Sequence, residues 1–288
     1  MTFTRGMATN TQAKRKEKAA SAAIAVLLWT YAAIVIAPLL LIVFNSMRPS
    51  REIFKDPIAL PSAINFDSYI KAWNEANFSD YFVNSVTITT ASVVLATSVS
   101  VLAAYALGRY TFRGSGFLSV FFLSGLLLPF RLAILPLFIL LDNLGLVDTR
   151  TGLILVYAAT GVPFSVFILS AFFRQLPDEL NEAARIDGAG EFTIFGRVML
   201  PLVRPGLATV AVFQFVPLWN DFFFPLVLLR STDKWTLPVG MTRFFGEFQT
   251  DWSTLFAGII ITTLPLVILF LVATKQIIAG LTAGIGKM

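Results

Sequence analysis

Neither cysteine nor histidine occurs among the 288 residues of this chain. Without cysteine there is no disulfide and no thiol chemistry, and the redox compartment cannot be read from the sequence. Without histidine the chain lacks the commonest metal ligand and the commonest general base. No nucleophile–base or metal constellation is visible, so the chain is not expected to be an enzyme. Charge is scarce as well: 14% of residues are charged, against roughly 25% in a soluble domain. No G-x-x-x-x-G-K-[ST] phosphate loop is present. Gly284-Ile285-Gly286-Lys287 has the wrong spacing, and Met288 follows the lysine. Any nucleotide energy would have to come from another subunit.

What the chain has in excess is apolar surface. Hydrophobic residues make up 56%, with 28 phenylalanines, and mean hydropathy is +0.76. A water-facing surface cannot be built from this composition, so the excess must face lipid. Six runs approach the ~20 apolar residues that a spanning helix needs: Ala20–Phe44, Val83–Leu107, Phe117–Leu141, Gly152–Phe173, Leu202–Asn220 and Leu255–Ala273. The first follows Lys14, Arg15, Lys16 and Lys18. It is too long for a signal peptide and lacks a small-residue cleavage site, so it is expected to be retained. The expected fold is an all-α polytopic membrane protein of about six transmembrane helices. Residues 1–19 form a basic cytoplasmic tail, and residues 20–288 form one transmembrane domain.

The net charge of +5 follows the ends of the spans rather than a nucleic-acid-binding face. With the N-terminus in the cytoplasm, the inner segments hold 13 Lys/Arg and the outer loops 8, Arg131 lying within a span. Acidic residues divide the other way, 6 inside and 11 outside. Both signs fit N-in/C-in by the positive-inside rule. The loops Asn45–Phe82 and Phe222–Ser253 are predicted to be external. Their aromatics, among them Tyr69, Trp73, Tyr81, Trp235, Phe244, Phe245 and Trp252, suit either an interfacial belt or a docking surface.

Several polar residues interrupt the spans. Arg131 sits between Pro129 and Pro136 in the third. A charge at the bilayer centre costs at least ~2.5 kcal/mol, so it must face protein or water. It either lines a translocation path or closes an internal or intersubunit ion pair. Gln214, Pro217 and Asp221 fall on one helical face of the fifth span, beside Asn220 and Trp219. Amide, carboxylate and aromatic groups suit sugar binding, but helix-to-helix hydrogen bonds would place the same residues inward. The second span carries Ser85, Thr89, Ser92, Thr97 and Ser100, small residues that permit close helix packing.

The segment between the fourth and fifth spans, about residues 174–201, is not a passive connector. Pro177, Asp178 and Glu179 start a helix in which Glu182 and Arg185 are spaced to pair across one turn. Gly188 and Gly190 interrupt it, and Phe192, Ile194 and Phe195 open a second short element. The stretch is net acidic. A lipid-surface helix would be basic, so an acidic one more naturally docks on protein.

Glu182-Ala183-Ala184, Asp187-Gly188-Ala189, Val198 and Leu200-Pro201 resemble the EAA signature of ABC importer permeases, with Val198 where the signature has Ile. The resemblance extends to Ala104–Gly114, Asn143–Thr149, Trp219–Phe222 with Pro225-Leu226, Leu237–Gly240, and Gly280–Gly284 with Lys287. Together these are similar to the MalG-like subunit of carbohydrate importers. The resemblance implies that the cytoplasmic segment is a coupling helix, with Glu182, Ala183, Ala184, Arg185, Asp187 and Gly188 docking on an ATP-binding subunit. It implies a substrate path that Arg131, Gln214, Trp219, Asn220 and Asp221 would line. It further implies a second, MalF-like permease, two copies of the ATP-binding subunit that carries ATP and Mg, and an extracytoplasmic solute-binding protein. The chain itself would bind no cofactor, metal or nucleic acid, and would reside in a bacterial-type plasma membrane. A di- or oligosaccharide is the expected solute, with glycerol-3-phosphate or amino acids as alternatives within the family. An ion-coupled transporter would need a second buried carboxylate that the spans do not supply.

Overall fold

A computed structural model describes residues 5–74, 77–245 and 251–285, with side chains for 18, 20–74, 77–244 and 251–274. Expectations resting on the side chains of Lys14, Arg15, Lys16, Phe245, Gly280–Gly284 and Lys287 lie outside these. The described residues form helices and connecting turns, with no strand among them. Four helices are long and apolar enough to cross a membrane: Ala20–Ser46, Phe78–Arg109, Arg150–Gln175 and Trp252–Thr274. Two bent helix pairs pass the same test only when taken together, Ser115–Leu127 with Phe130–Asn143 at 85°, and Glu191–Leu202 with Arg204–Trp219 at 70°, which gives up to six spans. The six runs seen in the sequence all correspond to helical segments, but the third is broken within its length, and the fifth is entered through a bend at Val203.

The chain divides into two compact units. The first comprises residues 1–70 and 251–260. Helix α1 (Arg5–Ser46) leads through α2 (Ser50–Lys55) into the start of α3 (Asp67–Asn74). Arg48 is buried here because its guanidinium donates to Asn45 Oδ1 at 2.9 Å, Asp56 O at 3.0 Å and Glu52 O at 3.1 Å. These bonds offset much of the cost of burying the cation, while Nε makes no hydrogen bond and has only the Glu52 carboxylate at 3.8 Å. The first turn of α14 (Trp252–Ile285) is tied to the same loop. Ser253 Oγ donates to Arg48 O at 2.6 Å, and Ser50 Oγ donates to Asp251 Oδ1 at 2.9 Å.

The second unit comprises residues 71–250 and 261–288. Its centre is α4 (Phe78–Arg109) packed along α7 (Arg150–Gln175), with α5 (Ser115–Leu127) and α11 (Arg204–Trp219) against them. The small residues of α4 explain the close approach. Ser85, Thr89, Ser92, Ala96, Ser100 and Ala104 are all buried. Ser92 Oγ donates to Ile88 O of its own helix at 2.6 Å and also reaches Ile154 O of α7 at 3.4 Å. Gly108 permits a close crossing of α4 and α7: a Cβ there would lie 2.8 Å from Phe173 Cβ. At one end of the unit, Val101, Tyr105, Leu169, Phe173, Ile194, Met199 and Val210 share an apolar cluster. At the other, Ile88, Leu141, Leu153, Tyr157 and Leu228 share a second.

The loop after α11 folds onto the start of α4. Asn84 Nδ2 donates to Asp233 O at 2.8 Å and Trp235 O at 2.9 Å, and Leu237 N donates to Ser85 Oγ at 2.8 Å. Tyr81, Trp235 and Phe244 are packed in this region rather than presented to a membrane interface.

Candidate functional site

The segment between α7 and α11 begins as α8 (Glu179–Ile186). The helix stops because Gly188 takes a left-handed conformation, φ +80°. Ala189 N then donates to Ala184 O at 2.9 Å and Gly188 N to Arg185 O at 3.0 Å. This pair of bonds is a Schellman end, and it requires the positive φ that glycine adopts without cost. Gly190 opens α9 (Glu191–Thr193), a π-helical turn follows over Ile194–Met199, and α10 (Leu200–Leu202) leads into α11.

Helix α8 has two faces. Leu180 and Ala184 lean on the apolar cluster beneath. Glu182, Ala183, Arg185, Asp187 and Gly188 are exposed. Beside them project two side chains that the sequence reading did not assign to the site, Ile186 at 86% and Phe192 at 93% exposure. They place two large apolar side chains on the surface next to an acidic helix. Ile186 follows the helical pattern, but that pattern alone does not distinguish it from a core position.

Two anchors hold this segment to α4. Arg109, whose side chain is 2% exposed, donates to Leu176 O at 2.6 Å, Pro177 O at 3.1 Å and Phe173 O at 3.3 Å, and pairs with Asp178 at 2.8 Å. The guanidinium thus gathers carbonyls at and just past the C-terminal end of α7, where Phe173 O also accepts from Leu176 N at 3.3 Å. The second anchor is a chain of polar groups. Tyr105 OH meets Tyr110 OH at 3.0 Å, Tyr110 OH donates to Glu191, and Glu191 Oε1 accepts from Arg185 Nε at 2.9 Å. Burial and the proton donated to Glu191 push the Tyr110 phenol up. The same bond, with Arg185 beside it, holds the Glu191 carboxyl below its ordinary value. Arg185 therefore pairs with Glu191 and not with Glu182, as helical spacing had predicted. The turn at Gly188 folds the chain back and brings the later carboxylate closer.

The third span is broken rather than bracketed. Helix α5 ends at Leu127, Pro129 (φ −76°, ψ +83°) leaves the helix, and Phe130–Ala133 form a 3₁₀ turn before α6 (Ile134–Asn143). Proline lacks the donor that would continue the α-helical ladder. Arg131 stands on that turn, 74% exposed, with Nη2 3.8 Å from Asp221 Oδ1. Asp221 is only 9% exposed and is fixed from below. Its Oδ2 accepts from Tyr157 OH at 2.8 Å and Phe224 N at 3.2 Å, and its Oδ1 accepts from Phe223 N at 3.4 Å. Phe223 and Phe224 open α12 (Phe223–Leu228). These residues border a cavity of about 320 Å³ whose walls include Phe130, Thr160, Pro217 and Leu218.

The other path candidates divide. Asn220 is exposed beside Asp221, its Nδ2 donating to Val216 O at 2.9 Å. Gln214 points elsewhere. It is buried against α7, where its amide donates to Ser165 Oγ. Trp219 is fully buried, stacked on Phe215, with Nε1 donating to Thr262 O at 2.9 Å. Of the five residues, Arg131 and Asp221 line the cavity, Asn220 is exposed outside its wall, and Gln214 and Trp219 are occupied in helix packing.

Residues 96–281 match the family described as "Binding-protein-dependent transport system inner membrane component". The chain is 40% identical over 260 residues to the diacetylchitobiose uptake system permease protein NgcG of Streptomyces coelicolor, covering 90% of this chain and 86% of that protein. It is 41% identical over 255 residues to the arabinooligosaccharides transport system permease protein AraQ of Halalkalibacterium halodurans, covering 87% and 91%. To the trehalose transport system permease protein SugB of Mycobacterium tuberculosis it is 35% identical over 252 residues, covering 87% and 92%. Its fold matches a chain of a crystal structure of a bacterial ABC transporter involved in import of the acidic polysaccharide alginate. The TM-score is 0.81 at 26% identity, covering 91% of this chain and 97% of that one.

Proposed function

The chain belongs to the family of binding-protein-dependent transport system inner membrane components, and from that premise we propose that it is the MalG-like permease subunit of an ATP-driven sugar importer. The chain is a multi-pass membrane protein. Its solute is a di- or oligosaccharide, as in the names of its relatives NgcG, AraQ and SugB. A separate ATP-binding subunit, present in two copies, supplies the energy with its own ATP and Mg. A second, MalF-like permease completes the pore, and an extracytoplasmic receptor delivers the sugar. The membrane is the bacterial inner membrane, with both termini in the cytoplasm.

The observation that carries this reading is the exposed, acidic, glycine-terminated α8, held to α4 at both of its ends. A surface loop that only re-entered the membrane would need no buried arginine beneath it. A segment that receives force does, because a push on Glu182, Ala183, Asp187 or Ile186 must reach the spans rather than bend the loop. In this mechanism the ATP-binding subunits close on ATP and displace α8. Arg109 and the Tyr110–Glu191–Arg185 chain pass the displacement to α4. The cavity lined by Arg131 and Asp221 then exchanges access between the two sides. The direct test is receptor-dependent sugar uptake in cells carrying or lacking this chain. Uptake that is lost with the chain and abolished by ATP depletion supports the assignment. Uptake that continues without the chain contradicts it.

A further inference from the structure

We infer that the Arg131–Asp221 pair and its cavity form a saccharide subsite selective for uncharged sugars, with Asp221 setting that selectivity. The inference rests on the importer reading above and deepens it. Irregular backbone at membrane depth is tolerated only where it is covered by protein or lines a wet cavity. In transporters, broken helices characteristically surround the solute site. The 3₁₀ turn Phe130–Ala133 is such a break, and it lies on a cavity of about 320 Å³, at the lower end of the range for ligand pockets. Phe130, Pro129, Pro217 and Phe224 give the cavity apolar faces suited to the C–H surface of a sugar ring.

Charge decides the ligand class. Arg131 carries five N–H donors, and among the described residues it makes only the 3.8 Å approach to Asp221 and no hydrogen bond. Alone it would attract an anion. Asp221 cancels that charge and cannot swing aside, because Tyr157 OH and two backbone N–H groups hold it. The pair is net neutral yet leaves the Arg131 N–H groups available to donate. Sugar hydroxyls can accept from Arg131. A uronate would approach the buried Asp221 carboxylate at a cost no other charged group of the cavity wall offsets.

The test uses the complete transporter in proteoliposomes without its receptor, with saturation-transfer NMR reading binding of a neutral disaccharide (trehalose or diacetylchitobiose) and of an oligouronate. The wild type should bind the neutral sugar and not the oligouronate. R131Q, which alters an exposed side chain and leaves folding intact, should weaken neutral-sugar binding about tenfold, the loss of one charge-assisted hydrogen bond. D221N should admit the oligouronate, and R131Q/D221N should exclude it again. Equal binding of both ligands by the wild type, or neutral-sugar binding unmoved by R131Q, overturns the subsite while receptor-driven sugar uptake continues. If no saccharide is taken up even with receptor and ATP, the importer reading itself fails.

Discussion

The Arg109 guanidinium lies 2.8 Å from the Asp178 carboxylate, one side chain 2% exposed and the other 86%. The asymmetry shows where the stabilisation resides. An ion pair with one partner in water contributes little. The bonds from Arg109 to Phe173 O, Leu176 O and Pro177 O are charge-assisted and partly shielded, and hydrogen bonds of that type contribute ~1.5–3 kcal/mol.

Arg109→Ala should therefore lower the detergent-solubilised melting temperature far more than Asp178→Ala, which should change stability by no more than ~0.5 kcal/mol. Arg109→Lys keeps the charge but loses the fork that reaches three carbonyls, and should fall between them. If Arg109 also transmits force, the alanine variant retains sugar-stimulated ATPase poorly even below its melting temperature.

Gly188 offers a separate test, because a Cβ there meets nothing within 4 Å. Any cost of substitution comes from φ +80° alone. Gly188→Ala should cost ~1–2 kcal/mol locally, and Gly188→Asn less, since asparagine tolerates this region better. Uptake should follow the order Gly, Asn, Ala. Gly188→Asp and Glu182→Lys change the charge of the exposed face. Both should insert normally and uncouple ATP hydrolysis from transport.

Much of this arrangement was legible in the sequence, and the reason is that it depends on local pattern. Apolar runs of spanning length announced all six segments, and Gly188 announced the bend. What was not legible depends on distant pairings. Arg109 looked like one more inner basic residue, since nothing near it in sequence marks the carbonyls 64 to 68 positions on. Asp221 gave no sign of its bond to Tyr157, 64 residues away. Trp219 has the chemistry of a sugar-stacking residue, but Phe215 and the Thr262 carbonyl occupy its ring and N–H. The third span looked continuous because hydropathy counts apolar residues without regard to the donor that Pro129 lacks.

Helix packing gives a third prediction. A Cβ on Gly161 would lie 2.3 Å from Gln214 Oε1 and 3.3 Å from Ala96 Cβ. Gly161→Ala should destabilise by ~1–3 kcal/mol through overpacking. The Gly161→Ala/Gln214→Ala pair should recover part of that loss in thermal unfolding, because it removes the opposing amide.

Asp148 supplies a pH signature outside the spans. Burial acts to raise its carboxyl, but bonds from Ser231 Oγ and N, Lys234 Nζ and Arg230 N outweigh it and hold the group well below the usual carboxylate range. A depressed folded-state value means stability present above the unfolded value of ~3.9 and lost as pH falls below it. Asp148→Asn should therefore lower the melting temperature at pH 7, and its deficit relative to wild type should shrink progressively below about pH 4.

Because the chain contains no cysteine, one introduced thiol can report on the exposed face of α8. Ala183→Cys in native membranes, treated with a thiol-directed photo-cross-linker, should form one dominant adduct with the ATP-binding subunit. The same thiol should be shielded from a membrane-impermeant reagent applied outside the cell. No adduct with any ATPase, together with ready labelling from outside, would contradict the assignment of α8 as the site where ATP hydrolysis is coupled to the pore.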